Sequence, residues 1–79
     1  MRITTLFFAT YRELAGTETM ELTLPPGSTA GDLVARLRAT GLNALPPEPA
    51  MAVNEEYAPP GTPLRDGDEV ALLPPVAGG

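Results

Sequence analysis

The sequence contains no cysteine, no histidine and no lysine among its 79 residues. Without cysteine, the chain cannot form a disulfide, a thiolate nucleophile or a cysteine-based metal site. Without histidine, it lacks the usual general base and the commonest metal ligand. All five basic residues are arginine, so no side chain offers an amine for isopeptide conjugation. We therefore expect no metal site, and no side chain stands out as a nucleophile.

Long apolar runs are also missing, since none approaches the roughly 20 residues that span a membrane. The opening Met1-Arg2-Ile3 leads directly into strand-like sequence and lacks the layout of a signal peptide. A net charge of −5 disfavours binding to nucleic acid or to anionic lipid. These features predict a cytoplasmic protein with neither a nucleic-acid partner nor a membrane partner.

What the sequence does contain is typical of one small globular domain. Hydrophobic residues make up 43% of the chain and charged residues 19%, which is ordinary for a folded protein. Alternating or β-branched patterns predict strands at residues 3–8, 18–24, 51–54 and 69–73. Further pairing is expected around Tyr57, and Asp66-Gly67-Asp68 predicts a tight turn before the last strand.

Two segments have the pattern of helices. Residues 9–15 could form a short helical turn that Gly16 closes. Ser28 or Thr29 is expected to cap a longer helix, with Asp32 completing a capping box and Gly41 ending it. The helix would bury one apolar face, formed by Ala30, Leu33, Val34 and Leu37. The order of elements predicts an α+β fold in which a mixed sheet is covered by one main helix.

The last two residues, Gly78 and Gly79, follow the final apolar strand and the pair Pro74-Pro75. Glycine has no side chain, so this tail is narrow and pliable and could present a terminal carboxylate to another protein. Residues 74–79 reach roughly 20 Å when extended, at about 3.4 Å per residue. A frayed terminus without a function would look the same. The ending therefore needs support from the rest of the chain.

That support comes from a resemblance. The chain resembles MoaD-type small subunits of molybdopterin synthase, which belong to the ubiquitin-like ThiS/MoaD sulfur carriers. The resemblance runs from end to end and is strongest in three blocks, at residues 6–16, 51–54 and 66–79. The third block contains Asp66-Gly67-Asp68-Glu69-Val70 and the final Pro-Pro-Val-Ala-Gly-Gly. It implies a β-grasp domain over residues 1–73, followed by a tail at 74–79.

The resemblance also implies a chemistry centred on Gly79. An E1-like (MoeB-like) adenylyltransferase would activate its carboxylate with ATP, and a sulfur donor would convert it to a thiocarboxylate. A MoaE-like large subunit would then receive the tail, and the sulfur would pass to precursor Z, a cyclic pyranopterin monophosphate. The carrier would bind no cofactor itself and would not be an enzyme alone. Gly78 would keep the tail flexible.

Partner binding is expected to involve the tail and a patch on the sheet. Alternation places Phe8 and Leu73 on the face opposite the helix, and the resemblance adds Tyr57 to this patch. Phe8 or Leu73 could instead complete a minor core. Arg12 could pair with a partner at the rim, or internally with Glu13 or a loop carboxylate. The tail contacts would come from Pro74, Pro75, Val76 and Ala77.

Two other functions fit the same residues. The chain could carry sulfur for thiamine or for tRNA thiolation, because all these carriers end in Gly-Gly. It could also be a noncatalytic β-grasp interaction module. The Phe-Phe-Ala segment and the Pro-Pro-Val before Ala-Gly-Gly favour the molybdopterin branch.

Overall fold

A computed structural model describes residues 1–75. The order of elements is strand, helix, strand, helix and three strands. Their bounds are β1 (Arg2–Phe7), α1 (Ala9–Ala15), β2 (Thr19–Thr23), α2 (Ala30–Ala39), β3 (Ala50–Val53), β4 (Glu56–Tyr57) and β5 (Glu69–Leu73).

The five strands of the described part form one mixed sheet in the order β2-β1-β5-β3-β4. Strands β1 and β5 are parallel, with Phe7 opposite Leu72, and the other neighbours are antiparallel. The first and last strands of the described chain therefore lie side by side in the interior of the sheet.

The core lies between the sheet and α2. Ile3 and Phe7 of β1 and Val70 and Leu72 of β5 are at most 2% exposed, as the alternation predicts. The four residues that α2 contributes to this core are the predicted Ala30, Leu33, Val34 and Leu37. Burial of apolar surface at this one interface is the main source of stability in so small a domain.

The caps of α2 follow its sequence closely. The Thr29 hydroxyl accepts a hydrogen bond from the Asp32 N–H at 3.2 Å, and the Asp32 carboxylate accepts from the Thr29 N–H at 2.9 Å. This is the predicted capping box. At the other end, Gly41 has a φ of 119° and lets the Leu42 N–H donate to the Leu37 carbonyl at 3.1 Å. Gly41 thus ends the helix, as expected.

The boundary between β1 and α1 differs from the prediction by one residue. The predicted strand included Phe8, but β1 ends at Phe7 and Phe8 is the N-cap of α1. The Phe8 carbonyl accepts hydrogen bonds from the Tyr11 and Arg12 N–H groups, which starts the helix. Phe8 keeps an extended backbone (φ −122°, ψ 150°), so its side chain still follows the strand alternation.

The predicted turn at Asp66-Gly67-Asp68 forms through its own polar groups. Asp66 Oδ1 accepts from the Arg2 N–H at 2.7 Å, and Asp68 Oδ2 accepts from the Arg65 N–H at 2.8 Å. Gly67 has a φ of 87°, a left-handed conformation that glycine adopts without strain. These carboxylates therefore fix the start of β5. In the described residues, neither helix has the length and apolarity to cross a bilayer.

Candidate protein-docking site

One face of the sheet carries α2, and the other is left without a helix over its centre. Residues on this second face alternate with the core residues, so it displays Leu6 of β1, Ala71 and Leu73 of β5, and Ala52 of β3. Leu6, Ala71, Ala52 and Leu73 are all only partly buried. An apolar sheet face of this kind, exposed on a small domain, is typical of a protein-binding surface.

Phe8 and Leu73 lie next to each other at the end of this face. Because Phe7 is opposite Leu72 in parallel register, the following residues, Phe8 and Leu73, also come side by side. The Phe8 side chain is 45% exposed and Leu73 is half-buried. The alternative that Phe8 completes a minor core is not what the structure shows, although Leu73 is partly covered.

Tyr57 lies on the same face, two strands away from Leu73. It is opposite Ala52 on β3, and the neighbouring β3 residue on this face, Ala50, is opposite Leu73. The Tyr57 side chain is 84% exposed, the largest exposure of any big hydrophobic residue in the described chain. We call Phe8, Tyr57 and Leu73 the docking patch.

A groove joins two members of the docking patch to the base of the tail. It has a volume of about 640 Å³ and an open mouth. Its lining consists mainly of aromatic and proline side chains, which are Tyr11, Tyr57, Pro46, Pro49, Pro74 and Pro75, together with Glu48, Ala50 and Leu73. The point where the chain leaves the sheet is therefore surrounded by apolar surface.

Phe8 borders a second, smaller depression of about 230 Å³, which it shares with Leu6, Arg12 and Glu18. Arg12 Nη1 lies 3.3 Å from Glu18 Oε1, and the two side chains are 53% and 75% exposed. Glu18 is in the loop before β2, so Arg12 has the internal partner that the sequence left open. A solvated pair of this kind contributes little to stability. Arg12 remains at the rim of the docking patch, where its role toward a partner stays a prediction.

The sequence did not indicate that Tyr11, Pro46, Pro49 and Glu48 would border this site. Tyr11 is 8% exposed and belongs to the core, but α1 has only seven residues, too few for a reliable apolar period. Pro46 and Pro49 lie in the connection between α2 and β3, which has no regular structure. Their position around the same groove as Tyr57 and Leu73 is set by the tertiary fold and leaves no local pattern in the sequence.

The groove has few charged side chains. The residues that line the groove include one acid, Glu48, and no arginine. Within residues 1–75, no group of acidic side chains is arranged to hold a metal ion. Four residues assigned to the site, Val76, Ala77, Gly78 and Gly79, lie outside the described residues. Pro74 and Pro75 are described, and both line the groove.

Comparison with known proteins identifies the family. The model of the ThiS family matches residues 5–79. The chain belongs to the ThiS family. This ThiS-family chain is 39% identical over 83 residues to the molybdopterin synthase sulfur carrier subunit of Chlamydomonas reinhardtii, with 100% of both chains covered.

Solved structures agree with the family assignment. SAMP1 from Haloferax volcanii aligns over 100% of both chains, with a TM-score of 0.87 and 28% identity. A chain in the complex of subunits 1 and 2 of the molybdopterin-converting factor from Helicobacter pylori also aligns over 100% of both chains, with a TM-score of 0.72 and 31% identity. These similarities confirm the β-grasp fold that the resemblance implied for this ThiS-family member.

Proposed function

We propose that this chain is the sulfur carrier subunit of molybdopterin synthase and that the carboxylate of Gly79 carries the sulfur. One observation supports this above all. This chain matches a molybdopterin synthase sulfur carrier subunit over the full length of both proteins. Its docking patch lies around the base of its Gly-Gly tail. The surface that a partner would bind then lies at the base of the segment that ends in the group that would react.

The chemistry requires activation because a carboxylate is a poor acyl donor. Its oxygen would attack the α-phosphate of ATP and displace pyrophosphate, which gives an acyl adenylate with AMP as the leaving group. A persulfide donor would then attack the acyl carbon and release AMP, and a thiol would cleave the S–S bond of the resulting acyl disulfide, which leaves a thiocarboxylate and a disulfide. These steps need acid-base groups and an ATP site, and the carrier has no histidine, cysteine or lysine to contribute to them. An E1-like adenylyltransferase would supply them.

The folded domain would hold the tail in place for two successive partners. Phe8 and Leu73 would anchor a partner beside the point where the tail begins, since a few side chains that become fully buried at an interface give most of its binding energy. Residues 74–79 would then extend up to roughly 20 Å into the partner's cleft. The Helicobacter pylori complex of subunits 1 and 2 supports a large subunit as the second partner.

The proposal is tested by intact-mass spectrometry. The chain is incubated with a MoeB-like enzyme, ATP and a sulfur donor, and tandem spectrometry then locates any added mass. We expect a gain equal to the difference between sulfur and oxygen, located at Gly79. If several activating enzymes produce no gain, the chain is an interaction module and the proposal is wrong.

A second step separates the pathways that use such carriers. The loaded chain is mixed with a MoaE-like large subunit and the cyclic pyranopterin precursor, and molybdopterin is measured by the fluorescence of its oxidised product. We expect product only with loaded carrier. Loading at Gly79 without any product would favour a carrier for thiamine or for tRNA thiolation.

A further inference from the structure

The activated tail of this protein needs protection from the protein's own nucleophiles. An acyl adenylate reacts readily with amines, since the amine nitrogen attacks the acyl carbon, a C–N bond forms, and AMP departs as the nitrogen loses a proton. A lysine within reach of the tail would turn this into an intramolecular reaction, with an effective concentration in the millimolar range for a short flexible linker. The product would be a dead-end amide.

The sequence removes every side-chain acceptor of this kind. All 79 residues lack lysine and cysteine, and each of the five basic positions is arginine. Arginine keeps the positive charge, but its guanidinium stays protonated and does not act as a nucleophile. Tyr11 and Tyr57 also line the groove, but their phenol hydroxyls are weaker acyl acceptors than an amine.

The fold places the amine of Met1 at the far end of the sheet. Met1 N donates to the Leu24 carbonyl at 2.8 Å, and the Leu24 N–H donates back to the Met1 carbonyl at 2.9 Å. This pair continues the β1–β2 ladder beyond Arg2. Because β1 and β5 are parallel, β5 begins at the end of the sheet where Met1 lies and runs away from it, toward Phe8.

The lengths involved make an approach of the tail to Met1 unfavourable. Leu73 is level with residue 8, and residues 1 to 8 of an extended chain span about 23 Å at roughly 3.3 Å per residue. Residues 74–79 span about 20 Å at most. To approach Met1, the tail would have to reverse direction at Pro74-Pro75 and then lie fully extended along the sheet.

We infer that no amine of this protein lies within productive reach of its own activated terminus, so that Gly79 transfers its acyl group only to nucleophiles of other molecules. The inference rests on the proposed activation of Gly79. Two features keep amines away from the tail. Every basic position is an arginine, and Met1 lies at the opposite end of the sheet from Leu73. Arginine is required most at positions near the base of the tail.

Arg12 and Arg65 provide a matched pair of positions for testing this. Arg12 is one helical turn from Phe8, which neighbours Leu73, and its side chain is 53% exposed. Arg65 is exposed in the loop before Asp66, whose side chain binds the Arg2 N–H at the opposite end of the sheet. Arg12→Lys and Arg65→Lys both keep the charge and add one amine, so they differ in the distance of that amine from the tail.

The test uses a chemically activated chain and needs no activating enzyme. Wild type, Arg12→Lys and Arg65→Lys are prepared with a 2-mercaptoethanesulfonate thioester at Gly79 by intein cleavage, then kept dilute at mildly alkaline pH. Hydrolysis returns the acid, whereas attack by an internal amine expels the thiol and gives a product one water lighter than the acid. Intact-mass and tandem spectrometry measure both products and locate the amide. Far-ultraviolet circular dichroism checks that each variant is folded.

We expect wild type and Arg65→Lys to give the acid, and Arg12→Lys to give at least about tenfold more of the lighter product, linked at position 12. Comparable amounts of lighter product from wild type would show that Met1 is accessible and would overturn the inference. Equal amounts from the two variants, or none from Arg12→Lys, would also overturn it, because distance and lysine content would then not decide the outcome. Since the thioester is made chemically, these results stand apart from the sulfur-loading experiment.

Discussion

Asn54 and Asp68 link the β3–β4 turn to the start of β5. Asn54 Nδ2 donates to Asp68 Oδ1 at 2.9 Å, while Asn54 Oδ1 accepts from the Glu69 N–H at 3.0 Å. Asn54 also has a φ of 50°, in the left-handed region that asparagine tolerates better than most residues. One side chain therefore fixes the turn that carries Tyr57 against the strand that leads to the tail.

Replacing Asn54 tests this link. We expect Asn54→Ala to lower the free energy of unfolding by about 2 kcal/mol, since it removes both hydrogen bonds and strains the backbone. Asn54→Gly removes the same hydrogen bonds but keeps the left-handed φ free of strain, so it should cost only about 1 kcal/mol. Urea denaturation of the three proteins measures both values. Equal losses for the two variants would show that backbone strain at position 54 is negligible.

Asn54 illustrates what the sequence reveals and what it hides. Its position at the end of a short strand was predicted, because Met51 to Val53 is an apolar run followed by polar residues. Its bonds to Asp68 and Glu69 were not, since they join residues that are far apart in the sequence. The same holds for Tyr11 and Pro46. They border the groove because of the tertiary fold, which the helical or strand periodicity of the neighbouring sequence does not predict.

Local patterns were sufficient where the stabilising groups are close in sequence. The capping box of Thr29 and Asp32 depends on groups three residues apart, as does the bond from the Arg65 N–H to Asp68 in the turn around Gly67, and both features were predicted. The exposed face of Phe8 and Leu73 was also predictable, because strand alternation needs only the positions of the core residues. Which strands are neighbours in the sheet depends on long-range contacts, and the sequence alone left that order open.

Phe8 provides the sharpest test of the docking patch. We expect Phe8→Ala to raise the Kd for a MoaE-like large subunit roughly 30-fold, about 2 kcal/mol, because an aromatic anchor would be lost from the interface. Calorimetric titration measures this. Leu14→Ala is the matched control, since Leu14 is 41% exposed on α1, close to the 45% of Phe8, but lines neither depression near the tail. A weakening of similar size in both variants would remove Phe8 from the docking patch.

Replacing Thr5 should change the stability of the domain without changing its binding to a partner. Its side chain is fully buried on the helix-covered face, and its Oγ1 has no hydrogen-bond partner among residues 1–75. Valine has nearly the same shape and no hydroxyl, so Thr5→Val should raise the free energy of unfolding by about 1 kcal/mol. In a domain of this size, that corresponds to a rise in Tm of roughly 4–8 °C.

Thr4→Val is the control for Thr5. Thr4 is only partly buried and lies on the opposite face of β1, so its hydroxyl can reach solvent and its replacement should leave the Tm nearly unchanged. Differential scanning calorimetry compares the two variants. A loss of stability in Thr5→Val would mean that the hydroxyl makes a stabilising contact after all.

The position of the terminal carboxylate should matter more than any side chain. Deleting Gly79, or adding one alanine after it, moves the carboxylate by one residue along the tail, about 3.4 Å. An active site that must align the acyl carbon with ATP tolerates little displacement, so we expect sulfur loading to fall by more than about 100-fold. The Tm should stay unchanged, because residues 1–73 contain the whole described core.

An added residue before Met1 is the control for the added alanine, since it lengthens the chain equally at the opposite end of the sheet. The backbone N–H it leaves at Met1 can still donate to the Leu24 carbonyl, so we expect normal loading and a normal Tm. Loading is followed by intact mass and folding by circular dichroism. If the chain without Gly79 still gains sulfur at the normal rate, the reactive carboxyl lies elsewhere. If both additions reduce loading equally, the added alanine lowers loading by disturbing the fold. The activating enzyme then does not depend on the position of the carboxylate.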